Sequence, residues 1–175
     1  MNGPVLSIDP GSKRTGWAVL TQREQLLQAG VLTGDKTTDP AEFRIAAMCR
    51  GLRELLEEWQ PRTVLIEWSS GHVGHRRHKG GGAGLAVYGI AIGALWQVAV
   101  VWTRSCEPQA RVRCIEENLW TNRVPKEDRV AAVAQRFREY RVEDDPGGDV
   151  ADAIGLSLWW IREQAIVPFC MEVTA

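Results

Sequence analysis

The sequence predicts an α/β domain built on a mixed sheet. Three apolar runs near the start, at 4–9, 15–20 and 28–33, are separated by short turn-like segments and read as an antiparallel meander. After them, helical patterns alternate with single strand-like runs, giving the order β-β-β-α-β-α-β-α-α. No internal repeat, low-complexity tract or linker breaks that order, and 175 residues suffice for one full core, so 1–175 reads as a single domain.

The first strand, "VLSID", ends on Asp9 and runs through Pro-Gly-Ser into "TGWAVL". Asp-Pro-Gly is ordinary turn chemistry, so Asp9 taken alone is a hairpin residue. From Asp39-Pro40 to Trp59, the apolar residues Phe43, Ala47, Leu52, Leu55 and Leu56 recur at helical spacing, with Asp39 placed as N-cap and Pro40 as the first helical residue. "TVLIEW", 63–68, is a short apolar strand interrupted by one acid. "GLAVYGIAIGALWQVAVVW", 84–102, approaches the roughly 20 apolar residues a bilayer needs. Its Ala/Gly-rich start and β-branched end are better explained by a buried helix leading into a buried strand, so no membrane span is expected. Helical patterns return near 125–141 and 149–163.

A net charge of -1 excludes a uniformly basic nucleic-acid coat but not a local patch. Arginine far outnumbers lysine, which suits forked recognition of phosphate and is equally explained by codon usage. Cys49, Cys106, Cys114 and Cys170 show neither zinc-finger nor disulfide-framework spacing. With no signal-peptide pattern at the start, a reducing, cytoplasmic setting is expected.

The carboxylates carry the chemistry. Glu67 shares its strand face with Leu65 and is costly to bury without a cation; the alternative is a strand-end glutamate reaching solvent. Asp149 and Asp152 in "GGDVADAIGLSLWW" lie three apart, on the helical face that continues through Ala153, Leu156 and Trp160. Individually they also suit an N-cap and a first-turn acid complementing the helix dipole. A helix packed on the sheet would nevertheless aim both at the strand ends carrying Asp9 and Glu67. Four convergent carboxylates repel unless divalent cations sit among them. Two such ions about 3.5–4 Å apart are the usual apparatus for phosphodiester cleavage.

"IDPGSKRTGWAVL", "VLIEW" and "DVADAIGLS", in this element order, resemble the RuvC-type Holliday junction resolvases of the RNase H-like superfamily. The resemblance implies an RNase H-like fold with a five-stranded mixed sheet flanked by helices. It implies Mg²⁺, with Mn²⁺ as substitute, held by Asp9, Glu67, Asp149 and Asp152. It also implies a homodimer that nicks two symmetric strands of a four-way DNA junction. Basic residues of the family's second half have Arg113 and Lys126 as their nearest matches. The family places an aromatic a few residues beyond the strand glutamate; here the aromatic is Trp68, adjacent to Glu67 and aimed off the opposite strand face, which suits a core role as well as stacking.

"HVGHRRHKGGG", 72–82, holds every histidine, His72, His75 and His78, together with Arg76, Arg77 and Lys79. Adjacent arginines and glycines disfavour a metal clip, and a cationic loop beside a catalytic strand suits phosphate contact; a solvated loop is the plain alternative. Around "ARVRC" and "NRVPKEDRV", helix-surface ion pairing competes with DNA contact. Lys126 stands out because it opens a helix, where backbone N–H groups favour an anion, and it joins the four acids as a candidate catalytic residue. Trp102 in the buried strand, and Trp159 and Trp160 on the last helix, read as core. The small residues of 83–96 would permit close helix approach at a symmetric interface, or burial against the chain's own sheet.

Among other functions, actin- and Hsp70-type ATPases share the strand-acid and Gly-Ser opening but need a duplicated domain. A non-catalytic module has no reason to keep four acids inward. A related nuclease acting on RNA or flap DNA shares every feature named.

Overall fold

The computed structural model describes residues 3–34, 38–68, 81–107 and 109–171. Strands β1 (Val5–Asp9), β2 (Arg14–Leu20) and β3 (Leu26–Thr33) form the expected meander. Helix α1 (Ala41–Trp59) leads to β4 (Thr63–Trp68), and α2 (Gly81–Ser105) leads to β5 (Arg111–Glu116). Then follow α3 (Glu117–Thr121), α4 (Lys126–Arg136), a single 3₁₀ turn at Val142–Asp144, and α5 (Asp149–Met171). The five strands order as β3-β2-β1-β4-β5, with β1, β4 and β5 mutually parallel. This is the mixed, helix-flanked sheet that was expected.

Strand alternation gives the sheet two apolar faces, each with its own core. Leu6, Ile8, Val19, Val64 and Ile66 face α1 and α2, while Val5, Ala18, Leu20 and Leu65 face α5. Asp9 and Glu67 share parity with Val5 and Leu65, so both carboxylates emerge on the α5 side. Helix α5 is fixed there by two serines: Ser7 Oγ donates to the Ala153 carbonyl at 2.6 Å, and Ser157 Oγ donates to Ser7 Oγ at 2.7 Å. At its first turn the helix backbone rests directly on β2. A Cβ on Gly16, the residue paired with Asp9, would lie 2.2 Å from the Asp149 carbonyl oxygen, so only glycine admits this approach.

Several local expectations are corrected. The run 98–102 is helical and Trp102 belongs to α2; Ala91, Ile92, Leu95, Ala99 and Trp102 form one buried stripe, and that packing overrides β-branched propensity. The strand lies later, so "ARVRC" is β-structure and helix-surface pairing does not apply to it. Pro40, not Asp39, is the cap residue of α1, and Phe43 is 63% exposed; the buried face is Ile45, Met48, Leu52, Leu55 and Leu56. Trp68 does leave the α1/α2 face of the sheet but is 49% exposed and is no core residue. Trp159 and Trp160 are only partly buried against the α5-side core.

Helix α2 is also not buried all round. By length and composition Gly84–Ser105 could cross a bilayer. Its inner stripe packs on α1 and the sheet, as a layer helix does, while Leu85, Ile90, Trp96 and Val101 remain exposed.

Candidate active site

The four predicted acids come from three elements and do converge. Asp9 ends β1, Glu67 lies one residue before the end of β4, and Asp149 and Asp152 occupy the first turn of α5. Burial and mutual repulsion both favour the protonated form of the strand pair. Burial, and then the charges of Glu67, Asp152 and Asp149, push the Asp9 carboxyl well up, with Lys126 opposing. Burial, followed by the charges of Asp152 and Glu117, raises Glu67 to about 7 against the hydrogen bond it accepts from Trp120.

The helix pair is held by cations of the chain itself. Arg129 spans Asp152 as a fork, Nε to Oδ1 at 2.9 Å and Nη2 to Oδ2 at 3.1 Å. Lys126 Nζ stands 2.9 Å from Asp152 Oδ2 and 3.3 Å from Asp149 Oδ1. Burial works against the Lys126 charge, but its hydrogen bond to Asp152 and the charges of Asp152, Asp9 and Asp149 outweigh it, and its pKa is raised. Its arm crosses Gly148, whose φ of +67° and lack of a Cβ leave room; a Cβ there would sit 2.7 Å from Lys126 Cε. Arg14 Nε lies 2.7 Å from Asp149 Oδ2.

Asp145 supports this arrangement from behind. Its carboxylate accepts from Arg14 Nη2, Tyr140 Oη, and the backbone N–H groups of Asp149 and Ala151, each at 3.0 Å. It therefore satisfies the open N–H groups at the start of α5 and fixes Arg14 at once. The price is borne by Tyr140, whose hydroxyl is pushed upward by burial and by Asp145. Asp145, Arg14, Arg129 and Trp120 were not singled out from the sequence. The one available signal was Arg129 lying three residues beyond Lys126, which puts both cations on one face of α4.

The donor set suits hard divalent cations, being all carboxylate oxygen. No hydrogen bond reaches the Asp9 carboxylate among the described residues, which leaves its oxygens for an ion. Among the described residues, no group of three or more acidic, histidine or cysteine side chains is arranged to hold an ion as it stands. The ion pairs explain this, since Asp149 and Asp152 are turned to Lys126, Arg14 and Arg129.

Of the predicted basic residues, Lys126 sits inside the acid cluster. Arg113 is exposed on β5, level with Leu65 and on the α5 side of the sheet. Arg76, Arg77 and Lys79, with His72, His75 and His78, lie outside the described residues.

Comparison with known proteins accords with this geometry. Residues 5–70 match the family described as crossover junction endodeoxyribonuclease RuvC, a span that includes Asp9 and Glu67. The RuvC of Bartonella henselae is 36% identical over 66 residues, covering 36% of this chain and 38% of that protein. The RuvC of Geotalea uraniireducens is 37% identical over 67 residues, again with 38% of its length covered. The matched part thus spans well under half of the curated relatives. Among solved structures, Thermus thermophilus RuvC in complex with a Holliday junction substrate superimposes with a TM-score of 0.69 at 19% identity, over 93% of this chain and 96% of that one. The yeast mitochondrial Holliday junction resolvase gives 0.59 at 18% identity, over 98% and 86%. The chain has the RNase H-like fold, and it is similar to the RuvC-type Holliday junction resolvases in sequence from β1 to β4 and in fold over nearly its whole length.

Proposed function

We propose that the chain is a metal-dependent endonuclease that cuts four-way DNA junctions by paired symmetric nicks. The observation that carries this is the meeting of Asp9, Glu67, Asp149 and Asp152 at one end of the sheet, with Asp9 free of any donor among the described residues. Mg²⁺ is the ion expected there, with Mn²⁺ as substitute, and the four acids would hold it. When bound, such ions activate water and stabilise the leaving oxygen of a phosphodiester. The chain's own groups supply the rest. Asp9 and Glu67 present oxygen ligands from rigid strand ends, and Arg129 fixes the plane of the Asp152 carboxylate. Lys126, half-exposed beside the acids, is placed to turn its ammonium to a scissile phosphate. Arg113, and Arg76, Arg77 and Lys79, would meet flanking phosphates.

A second copy of the chain is the expected partner. Two equivalent scissile phosphates require two sites. The outer face of α2 offers exposed Leu85, Ile90, Trp96 and Val101, with Gly89 and Gly93 admitting close helix approach. A cytoplasmic setting accompanies this reading, because Cys49, Cys106 and Cys114 are free thiols.

The test is cleavage of a four-way junction against matched duplex, flap and RNA substrates, with Asp9→Asn and Asp152→Asn alongside. Both variants should lose cutting by about a thousandfold or more while junction binding survives, since the chemical step loses a ligand and the phosphate contacts lie elsewhere. Near-wild-type Mg²⁺-dependent cutting by either would overturn the four-acid site. Preference for flap or RNA would assign the chain to another nuclease activity on the same fold. On a supercoiled cruciform a dimer should give linear product; a persistent monomer giving only nicked circles would remove the paired mechanism.

A further inference from the structure

Trp120 and Arg129 connect the two halves of the acid cluster without contributing an acid. Trp120, on the short α3, is 7% exposed, and its Nε1–H donates to Glu67 Oε2 at 3.0 Å. The Arg129 guanidinium lies 5.1 Å from the centre of the same indole ring. Its fork holds both oxygens of Asp152, and its Nη1 donates to the Val124 carbonyl at 2.7 Å. The ring is seated against α5 at Gly155, where a Cβ would come within 2.9 Å of Trp120 Cζ3. Gly155 stands three residues beyond Asp152, so the seat and the acid share one face of α5.

We propose that Trp120 and Arg129 are positioning residues that hold Glu67 and Asp152 in one frame, so that the strand and helix acids present their oxygens to a divalent cation together. This rests on the metal-centre reading above. An indole N–H is a single directional donor, and by engaging Oε2 it leaves Oε1 of Glu67 open. An arginine fork fixes the plane of a carboxylate as a lysine cannot. The guanidinium against the ring then locks one contact to the other, in a setting shielded from water.

A purely packing role for Trp120 would move stability alone, whereas positioning moves metal affinity. Trp120→Phe keeps an aromatic ring beside Arg129 and deletes the N–H, together with the outer ring atoms that lie against Gly155. Arg129→Lys keeps the charge and deletes the fork. Each full-length variant should bind Mn²⁺, followed by electron paramagnetic resonance, about tenfold more weakly than wild type, as loss of a group that orients a metal ligand does. Trp120→Phe should lower the thermal midpoint modestly through the cavity it leaves, a loss that packing alone explains, and on a junction it should lower kcat about tenfold with KM unaltered, which packing alone does not. Wild-type Mn²⁺ affinity in both variants would overturn the proposal and leave a packing contact. If wild type binds Mn²⁺, both variants weaken it and no junction is cut by any of them, positioning stands and the junction-cutting reading falls. If wild type binds no Mn²⁺ at millimolar concentration, both fall.

Discussion

The two strand acids and the two helix acids sit in one cluster under opposite conditions. Asp9 and Glu67 project from strand ends, whose neighbours are apolar strands; between them they receive one donor from the described residues, the Trp120 N–H. Asp149 and Asp152 open α5, which faces α4 and the β1–β2 turn, and three long cationic side chains reach them. The strand pair consequently titrates high, while the helix pair is counter-charged by the chain. An added cation therefore does not gain equally at the two pairs. It gains most at the strand end, where negative charge would otherwise be uncompensated, and the helix acids can then be shared away from Lys126.

The contrast predicts opposite signs when the two kinds of acid are neutralised in metal-free protein. Asp152→Asn strands Arg129, only 15% exposed, beside a ring with no counter-charge. Removing one partner of a buried pair costs about 4 kcal/mol, roughly 12 °C in a chain of this size. Asp9→Asn removes an acid that nothing neutralises well, and should raise the melting temperature instead. Thermal melts in chelator check both; a loss of stability in the two variants alike would mean that the strand and helix acids are equally counter-charged.

Glu67 gives the pH form of the same contrast. Its ordinary carboxyl value is 4.5, and in the fold burial and neighbouring acids raise it to about 7. A raised value means that the fold prefers the protonated form. The associated stability is complete below about pH 4.5 and is lost as pH rises through about 7. The size is about 3 kcal/mol, and Asp9, raised as well, works in the same direction. Metal-free wild type should therefore melt lower at pH 8 than at pH 5, and Glu67→Gln should show a shallower slope in that window. Mg²⁺ should restore more stability at pH 8 than at pH 5, because a metal ligand must be deprotonated. A flat profile for wild type would mean that the strand acids are not desolvated.

The strand half of the site was the more legible in sequence, for a physical reason. An acid inside an apolar run stands out because burying it is costly, and strand parity puts Glu67 on the face of Leu65; Asp9, at a strand end running into Pro-Gly, read alone as a hairpin residue and gained meaning only beside the other acids. Asp149 and Asp152 were legible through helical spacing. Their partners were not. Lys126 stood out only because it opens a helix; Arg14 comes from β2 and Arg129 from α4, and nothing local in "GSKR" or "KEDR" distinguishes a buried counter-ion from a surface arginine. Trp120 and Gly155 are 35 positions apart by number and meet only through packing. The misread strand at 98–102 has the same origin: the stripe from Ala91 to Trp102 is set by what α2 packs against, which propensity does not record.

The smallest expected effect separates cations inside the cluster from those outside it. Arg113 is exposed on the edge strand β5 on the side of the sheet where Glu67 emerges, and it makes no ion pair among the described residues. Should it neutralise one DNA phosphate, that contact releases condensed counterions, and the slope of log affinity against log salt becomes shallower by about 0.9 in Arg113→Ala. Lys126 carries the same formal charge, but Asp149 and Asp152 already balance it in the metal-free protein. A phosphate would have to win it from two carboxylates, with little net release of ions from the DNA. In chelator, Lys126→Gln should accordingly leave the slope unchanged, although the same variant slows cutting once metal is supplied. Junction binding titrated across a salt series, with both variants in parallel, decides the matter. Equal changes in slope would mean that Lys126 is as free as Arg113, and that the helix acids are not neutralised from within.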